Sequence, residues 1–452
     1  MLKKAIFVVF ATMLIVFGAS ISYALQTDGL VSGTDNLALP TGIQASINPG
    51  GLGDSLLYGY YNVRSNINIF NIVNTSSAVG VKARIVFRNA KDSREVLDFN
   101  ICLSKGDVWT AFLLDDGAQG RIFAFDTDTV TGVADNFPSA GQQFISGTFA
   151  DQTVITPDQT REGYFEVVGM STIPGYDKNS STTSACGIGV TSSNCIRTAA
   201  ACNLWVQAGS SFDVDNALMG NNNIVSLSNL ATYSYNATAV ADSSLVAFDV
   251  ISGSEMSIAQ ALSKGINRGP VGCDEADYIF TKSNVLSPFD LMSFLGGNTS
   301  LILTFPTRFV CHNGPSDALF DCTANDFIAN PTRCISYCSN IAPHIWNDKE
   351  IEKTGGSISP SPGQCLQNEV SVINFGSSSI WASTVAVSID TGGFDLGWAN
   401  IDLVAGDSNH VTCYGGNCAN GLPAVAYTTQ SFEGSASSYM VPAQYKTSIS
   451  SD

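Results

Sequence analysis

Histidine is scarce in this 452-residue chain: three residues, His312, His344 and His410, each in a different context. A catalytic imidazole or a histidine-rich metal site therefore has little material to draw on. Charge is sparse as well, at 13% of residues, and the basic sign is the rarer, with 21 Lys and Arg against 39 Asp and Glu. A net charge of −18 leaves no basic face for a phosphate backbone, so nucleic acid is not an expected partner. No Gly-x-Ser-x-Gly elbow occurs, which removes a familiar hydrolase signature. The adjacent acids Asp115 with Asp116 and Asp274 with Glu275 read as solvated charges rather than as the facing pair of a glycosidase. Cys-x-x-Cys is absent too, which argues against a zinc or haem motif. Beyond the first two dozen residues no apolar run is long enough to span a bilayer.

What is present begins with an address. Lys3 and Lys4, the apolar run from Ala5 to Ala19, and the small residues Ser22 and Ala24 make the pattern of a secretory signal peptide, cleaved after Ala24. The expected destination is outside the cytoplasm: secreted, at the cell surface or extracellular, with the periplasm as the other compartment on that route. No transmembrane segment is expected after cleavage. The twelve cysteines agree with this, because an even set in an oxidising compartment reads as disulfides. Cys413 and Cys418 bracket Tyr414-Gly-Gly-Asn417, a loop able to close on itself, and form the expected pair. The partners of Cys102, Cys186, Cys195, Cys202, Cys273, Cys311, Cys322, Cys334, Cys338 and Cys365 do not follow from spacing.

Period-two alternation dominates the rest. Val79, Val81, Ala83, Ile85 and Phe87 alternate with Gly80, Lys82, Arg84 and Arg88, the pattern of a strand with one face on a core and one in water. Leu97, Phe99, Ile101 and Leu103 repeat it, and Val108 to Leu114 follows a Lys-Gly-Asp turn. Further strands are expected at Gly163 to Val168, Leu245 to Ile251, Leu301 to Phe305, Val370 to Phe375, Thr384 to Ile389 and Ala424 to Tyr427. Two short helices are expected: Pro288 to Leu295, capped by Ser287 and stopped by Gly296, and Glu255 to Lys264. Gly220-Asn-Asn-Asn223 reads as irregular. The fold class is thus mainly β: an antiparallel β-sandwich core with long disulfide-pinned insertions and a few short helices. The expected organisation is a signal peptide (1–24), an N-terminal sandwich portion (25–170), a cysteine-rich insertion or subdomain (171–363), and a C-terminal β portion completing the sandwich (364–452).

Several segments also carry a likeness. Leu56-Leu57-Tyr58-Gly59-Tyr60-Tyr61, Ile72-Val73-Asn74-Thr75, Arg94 to Asn100 with Asp107-Val108-Trp109-Thr110-Ala111, and Thr160 to Val168 resemble a family of secreted, uncharacterised cell-surface proteins of Gram-negative bacteria. Leu303 to Arg308, Asp348-Lys349-Glu350, Ser359-Pro360-Ser361-Pro362, Cys365 with Glu369-Val370, and Gly421 to Val425 continue it in the same order. The resemblance implies a cell-surface setting and no particular activity. This chain departs from the family in its greater number of cysteines and in a less charged cluster at Asp348.

Candidate sites are few. Asp126-x-Asp128, close after Asp115-Asp116-Gly117, offers hard oxygen ligands on a loop, so calcium is the one cofactor considered, and otherwise none is expected. Trp109, Trp205, Trp346, Trp381 and Trp398 are dispersed along the sequence and read as core, with Trp346 singled out because it sits in a polar-flanked loop. The function expected from these absences is a disulfide-stabilised structural or adhesive protein without catalysis, associating with itself or with cell-surface components. A monomeric extracellular module for carbohydrate or another surface ligand, stiffened by calcium, is the alternative.

Overall fold

A computed structural model of the chain describes residues 45–124, 126, 129–133, 137–148, 154–174, 176, 199–204, 214–243, 258, 272–311, 339–353, 358–359, 365–404, 410–414, 417–432 and 438–451. The expected signal peptide, the strand Leu245 to Ile251, the helix Glu255 to Lys264 apart from Ile258, and Cys186, Cys195, Cys322, Cys334 and Cys338 lie outside the described residues.

Alternating apolar residues become antiparallel strands, as expected. The first half supplies β1 (Ser55–Asn62), β2 (Asn66–Asn74), β3 (Val79–Asn89), β4 (Glu95–Leu103), β5 (Val108–Asp115), β6 (Gly120–Ala124), β7 (Glu162–Pro174), β8 (Leu218–Ser226), β9 (Thr232–Asn236) and β10 (Thr238–Ala241). Two sheets result, with central orders β10-β1-β7-β3-β4 and β9-β8-β2-β5-β6. They enclose one aromatic core in which Phe70 lies between Tyr58, Phe87, Trp109 and Phe165. The second half supplies β11 (Asn284–Asp290), β12 (Gly297–Thr304), β13 (Ala342–Asn347), β14 (Glu352–Lys353), β15 (Val370–Phe375), β16 (Ala386–Ile389), β17 (Leu396–Asp402), β18 (Val425–Phe432), β19 (Ser438–Pro442) and β20 (Gln444–Lys446). These form a second pair of sheets, β14-β13-β17-β11-β20 and β16-β15-β12-β18-β19, around Phe289, Leu301, Ile345, Ile373 and Ile401.

The segment 171–363 is therefore not hung outside a sandwich closed by the two ends. It contributes β8 to β10 to the first sandwich and β11 to β14 to the second. Gly220 to Asn223 is part of strand β8, with Asn222 buried and donating to the Tyr60 carbonyl at 3.2 Å. The helix expected at Pro288 to Leu295 is also corrected. Ser287 to Asp290 belong to β11, where Val285, Ser287 and Phe289 face the core and the whole strand pairs with β17; only Ser293–Leu295 turn, as a 3-10 helix. Seven residues of cross-strand pairing and a buried alternate face outweigh a local cap signal.

A second correction concerns β3. The face expected in water carries Lys82, Arg84 and Arg88, and all three are buried. Lys82 Nζ donates to the Asn203 carbonyl at 2.9 Å, from α1 (Ala199–Leu204) lying over the sheet. Arg88 Nε meets Glu166 Oε2 at 3.1 Å, and Arg84 pairs with Asp98. The polar stripe of the sequence is an internal ionic layer.

That layer merges into the junction of the two sandwiches. Gly59 and Tyr60 of β1 both stand opposite Tyr164 of β7, a bulge that turns Tyr60 and Asn62 to the outer face. There Tyr60 packs edge-on against Trp381, Tyr235 packs on Tyr427, and Thr304 Oγ1 donates to the Gly59 carbonyl at 2.6 Å. Gly59 is required, because a Cβ would run into the Tyr427 ring. Glu162, buried here, accepts from the Tyr60 hydroxyl at 2.9 Å and from the Thr384 amide at 3.1 Å. The described residues accordingly form one compact unit.

Burial pushes the Glu162 carboxyl above its ordinary value of 4.5, and burial does the same to Glu166. Groups raised in the folded state contribute stability that is complete below 4.5 and is lost as pH climbs through the folded value. Asp158, held low by its hydrogen bond from Arg64, acts in the opposite sense and only below 3.8. Melting temperatures measured from pH 4.5 upward should therefore fall less steeply for Glu162→Gln than for the native chain; parallel slopes would mean that Glu162 does not titrate in this range.

Three disulfides lie among the described residues. Cys102 joins Cys202, tying β4 to α1, and Cys273 joins Cys311, tying α2 (Gly272–Phe280) to α3 (Arg308–Cys311). Cys413 joins Cys418 as expected, the two standing directly opposite in a hairpin of Val411–Tyr414 and Asn417–Asn420. Among the described residues no helix is long and apolar enough to cross a membrane.

Candidate functional site

The outer face of the β14-β13-β17-β11-β20 sheet brings together residues that the sequence keeps far apart. In β13, Ile345 points to the core, so His344 and Trp346 point out; in β17, Ala399 and Ile401 point in, so Trp398 and Asn400 point out. Register does the rest. Trp346 stands opposite Trp398, and Trp398 opposite Pro288 of β11. One row across three strands thus carries two indoles and a proline.

The two indoles stack, with ring centroids 4.1 Å apart and planes 11° from parallel. His344 continues the column at 5.9 Å from Trp346, and its Nδ1 meets Glu352 Oε1 of β14 at 3.0 Å. Gly397 lets the strands approach, since a Cβ there would collide with the Trp346 carbonyl oxygen. One face of Trp398 is covered by Trp346, yet the residue remains 41% exposed. What remains exposed borders a half-open pocket of about 360 Å³.

The pocket lies at the corner where β19 of one sheet crosses, through Ala443, into β20 of the other. Leu286, Ser287, Pro288 and Trp398 line one side, and Thr428, Val441, Pro442, Ala443 and Gln444 the other. Ser287 and Thr428 are buried and hydrogen-bonded to each other at 2.9 Å. None of these lining residues is ionisable. A concave, neutral, largely apolar pocket with one indole wall and an amide at its rim can hold a small ring by stacking and shape rather than by charge.

The other sequence candidates fall elsewhere. Asp126 accepts from the Thr129 amide and hydroxyl, each at 3.0 Å, and so braces a turn; Asp128 lies outside the described residues. Among the described residues no group of three or more His, Cys, Asp or Glu side chains is placed to hold a metal ion. Asp116 accepts from the Ala118 and Gln119 amides and from Arg121, and Asp115 pairs with Arg161 at 3.2 Å. His410 is buried, its ring nitrogen 2.8 Å from the Leu403 carbonyl. His312 and Trp205 lie outside the described residues. Trp109 and Trp381 are core, as expected, whereas Trp346 is a strand residue half-buried on an outer face rather than a loop residue. Trp398, expected in the core, is instead the most exposed of the described tryptophans. Its signal in the sequence was the alternation of Leu396-Gly-Trp-Ala-Asn-Ile-Asp402, in which Ala399 and Ile401 claim the inner face.

Comparison with family models, with curated proteins and with solved structures gives no match for this chain. The class defined by fold and site is a disulfide-braced pair of β-sandwiches, antiparallel apart from β16, which runs parallel to β15, with an aromatic surface pocket on the second.

Proposed function

We propose that the chain is an exported, non-catalytic adhesive protein of the cell surface, and that its second sandwich holds a neutral carbohydrate in the Trp398 pocket. The carrying observation is the free surface of Trp398, backed by Trp346 and bordering a ring-sized neutral pocket. A pyranose ring has one apolar face of C–H groups that packs on an indole, while its hydroxyls stay hydrated at the open side. The disulfides suit an oxidising compartment, and the acidic balance of the chain works against polyanionic glycans.

Attachment is favoured over assembly into a lattice. Pro288 sits in β11 beyond the three residues that pair with β20, and it lacks the N–H that a docking strand would need. The edge strand β19 lies against the first sandwich, Ser438 Oγ donating to the Thr232 carbonyl at 2.9 Å. Negative-stain images of the concentrated protein should show single particles; regular fibres would return the assembly reading to first place.

The test of the pocket is a glycan array followed by calorimetry. Trp398→Ala should weaken binding at least about tenfold, whereas Phe294→Ser, a change of an exposed aromatic outside the pocket lining, should leave it intact. Full affinity in Trp398→Ala would overturn the assignment.

A further inference from the structure

The chemistry of the pocket points to a narrower ligand class, an inference that rests on the carbohydrate reading above. Trp398 and Pro288 on one side take the apolar face of a sugar ring. Facing them from the crossover are Val441, Pro442 and Ala443. A plain hexose stacked on the indole would turn hydroxyl groups toward this second apolar wall, where they would lose water and find no partner. The floor offers no relief, because the Ser287 and Thr428 hydroxyls are buried and already bonded to each other at 2.9 Å. The group that enters beside the ring is therefore one with an apolar end.

Charge narrows it further. No lining residue can pair with a carboxylate or a sulfate, and the chain as a whole carries −18. Uronic acids and sulfated sugars would each bring an unpaired charge into the pocket, and a bare ammonium would have nothing apolar to set against the Val441 wall. At the rim, exposed Gln444 of β20 stands opposite Leu286 and presents a carboxamide, which both donates and accepts. A substituent with a methyl end and an amide stem meets all three conditions. We infer that the pocket selects an N-acetylhexosamine unit of a neutral glycan: ring on Trp398, acetamido methyl against Val441 and Pro442, amide toward Gln444.

The experiment is calorimetric titration of the intact protein with two oligosaccharides of equal length, chitopentaose and cellopentaose, which differ in the acetamido group. The expected result is binding of chitopentaose about tenfold or more tighter than cellopentaose. Val441 is exposed on an edge strand, so Val441→Phe should fill the pocket without unfolding the protein, which a melting curve checks. In that variant the two affinities should converge. Equal affinities in the native protein would overturn the acetamido inference and leave the carbohydrate reading standing, as would a preference unchanged in Val441→Phe. Binding of neither oligosaccharide would overturn both.

Discussion

Replacing Cys102 and Cys202 together by alanine is expected to lower stability by about 4.7 kcal/mol, the largest loss for any disulfide described here. The bond closes a loop of 100 residues, and in the chain-entropy account the loss grows with the logarithm of that length. The same account gives about 2 kcal/mol for Cys413 with Cys418, separated by 5 residues. The folded state supports the ranking, because Cys102 and Cys202 are both fully buried in a small cluster with Val130, Ile173 and Tyr176. Denaturant unfolding of the two double variants, without reductant, checks it. A larger loss from the Cys413 pair would show that native packing rather than loop length governs these bonds.

Arg88→Met is expected to cost about 3–5 kcal/mol, because it strands a buried carboxylate. Arg88 is fully buried, its Nε 3.1 Å from Glu166 Oε2 and its Nη1 donating to the Ser93 carbonyl at 3.1 Å. Glu166 Oε1 also accepts from the Ile258 amide at 3.2 Å. Burial already drives the Glu166 carboxyl upward, and loss of the guanidinium would drive it further. The double variant Arg88→Met with Glu166→Leu should recover most of the loss, since apolar groups of similar volume need no partner. A double variant no better than Arg88→Met would show that the pair holds the strand through Ser93 and Ile258 rather than through charge.

These pairs mark where the sequence was legible. The alternation of Leu97, Phe99, Ile101 and Leu103 became β4 because local pattern and burial agree there, and Cys413 found Cys418 because a short hairpin needs no distant information. Arg88 and Lys82 read as solvent-facing because periodicity separates the two faces of a strand without saying what covers each. Ser287-Pro288-Phe289-Asp290 carries a sound cap signal, overridden by pairing with residues more than a hundred positions later. The stacked indoles belong to the same class: Trp346 and Trp398 meet only through the register of β13 on β17, a tertiary fact that no window on the sequence contains. The polar neighbours of Trp346 mark it in the sequence, whereas nothing near Trp398 marks it as its partner.

The strand β1 has a consequence for how the chain reaches its final state. Its neighbours in the sheet are β7 and β10, so Leu57 waits for Glu166 on one side and for Thr238 on the other. Its outer face then waits for β12 and β18, later still. A strand whose two sheet neighbours both lie a hundred or more residues later keeps its edges unpaired until they arrive, and such topologies fold slowly with sticky surface exposed. Refolding yield should therefore depend on how long this strand's surface stays covered against aggregation, more than on any single contact within the folded molecule.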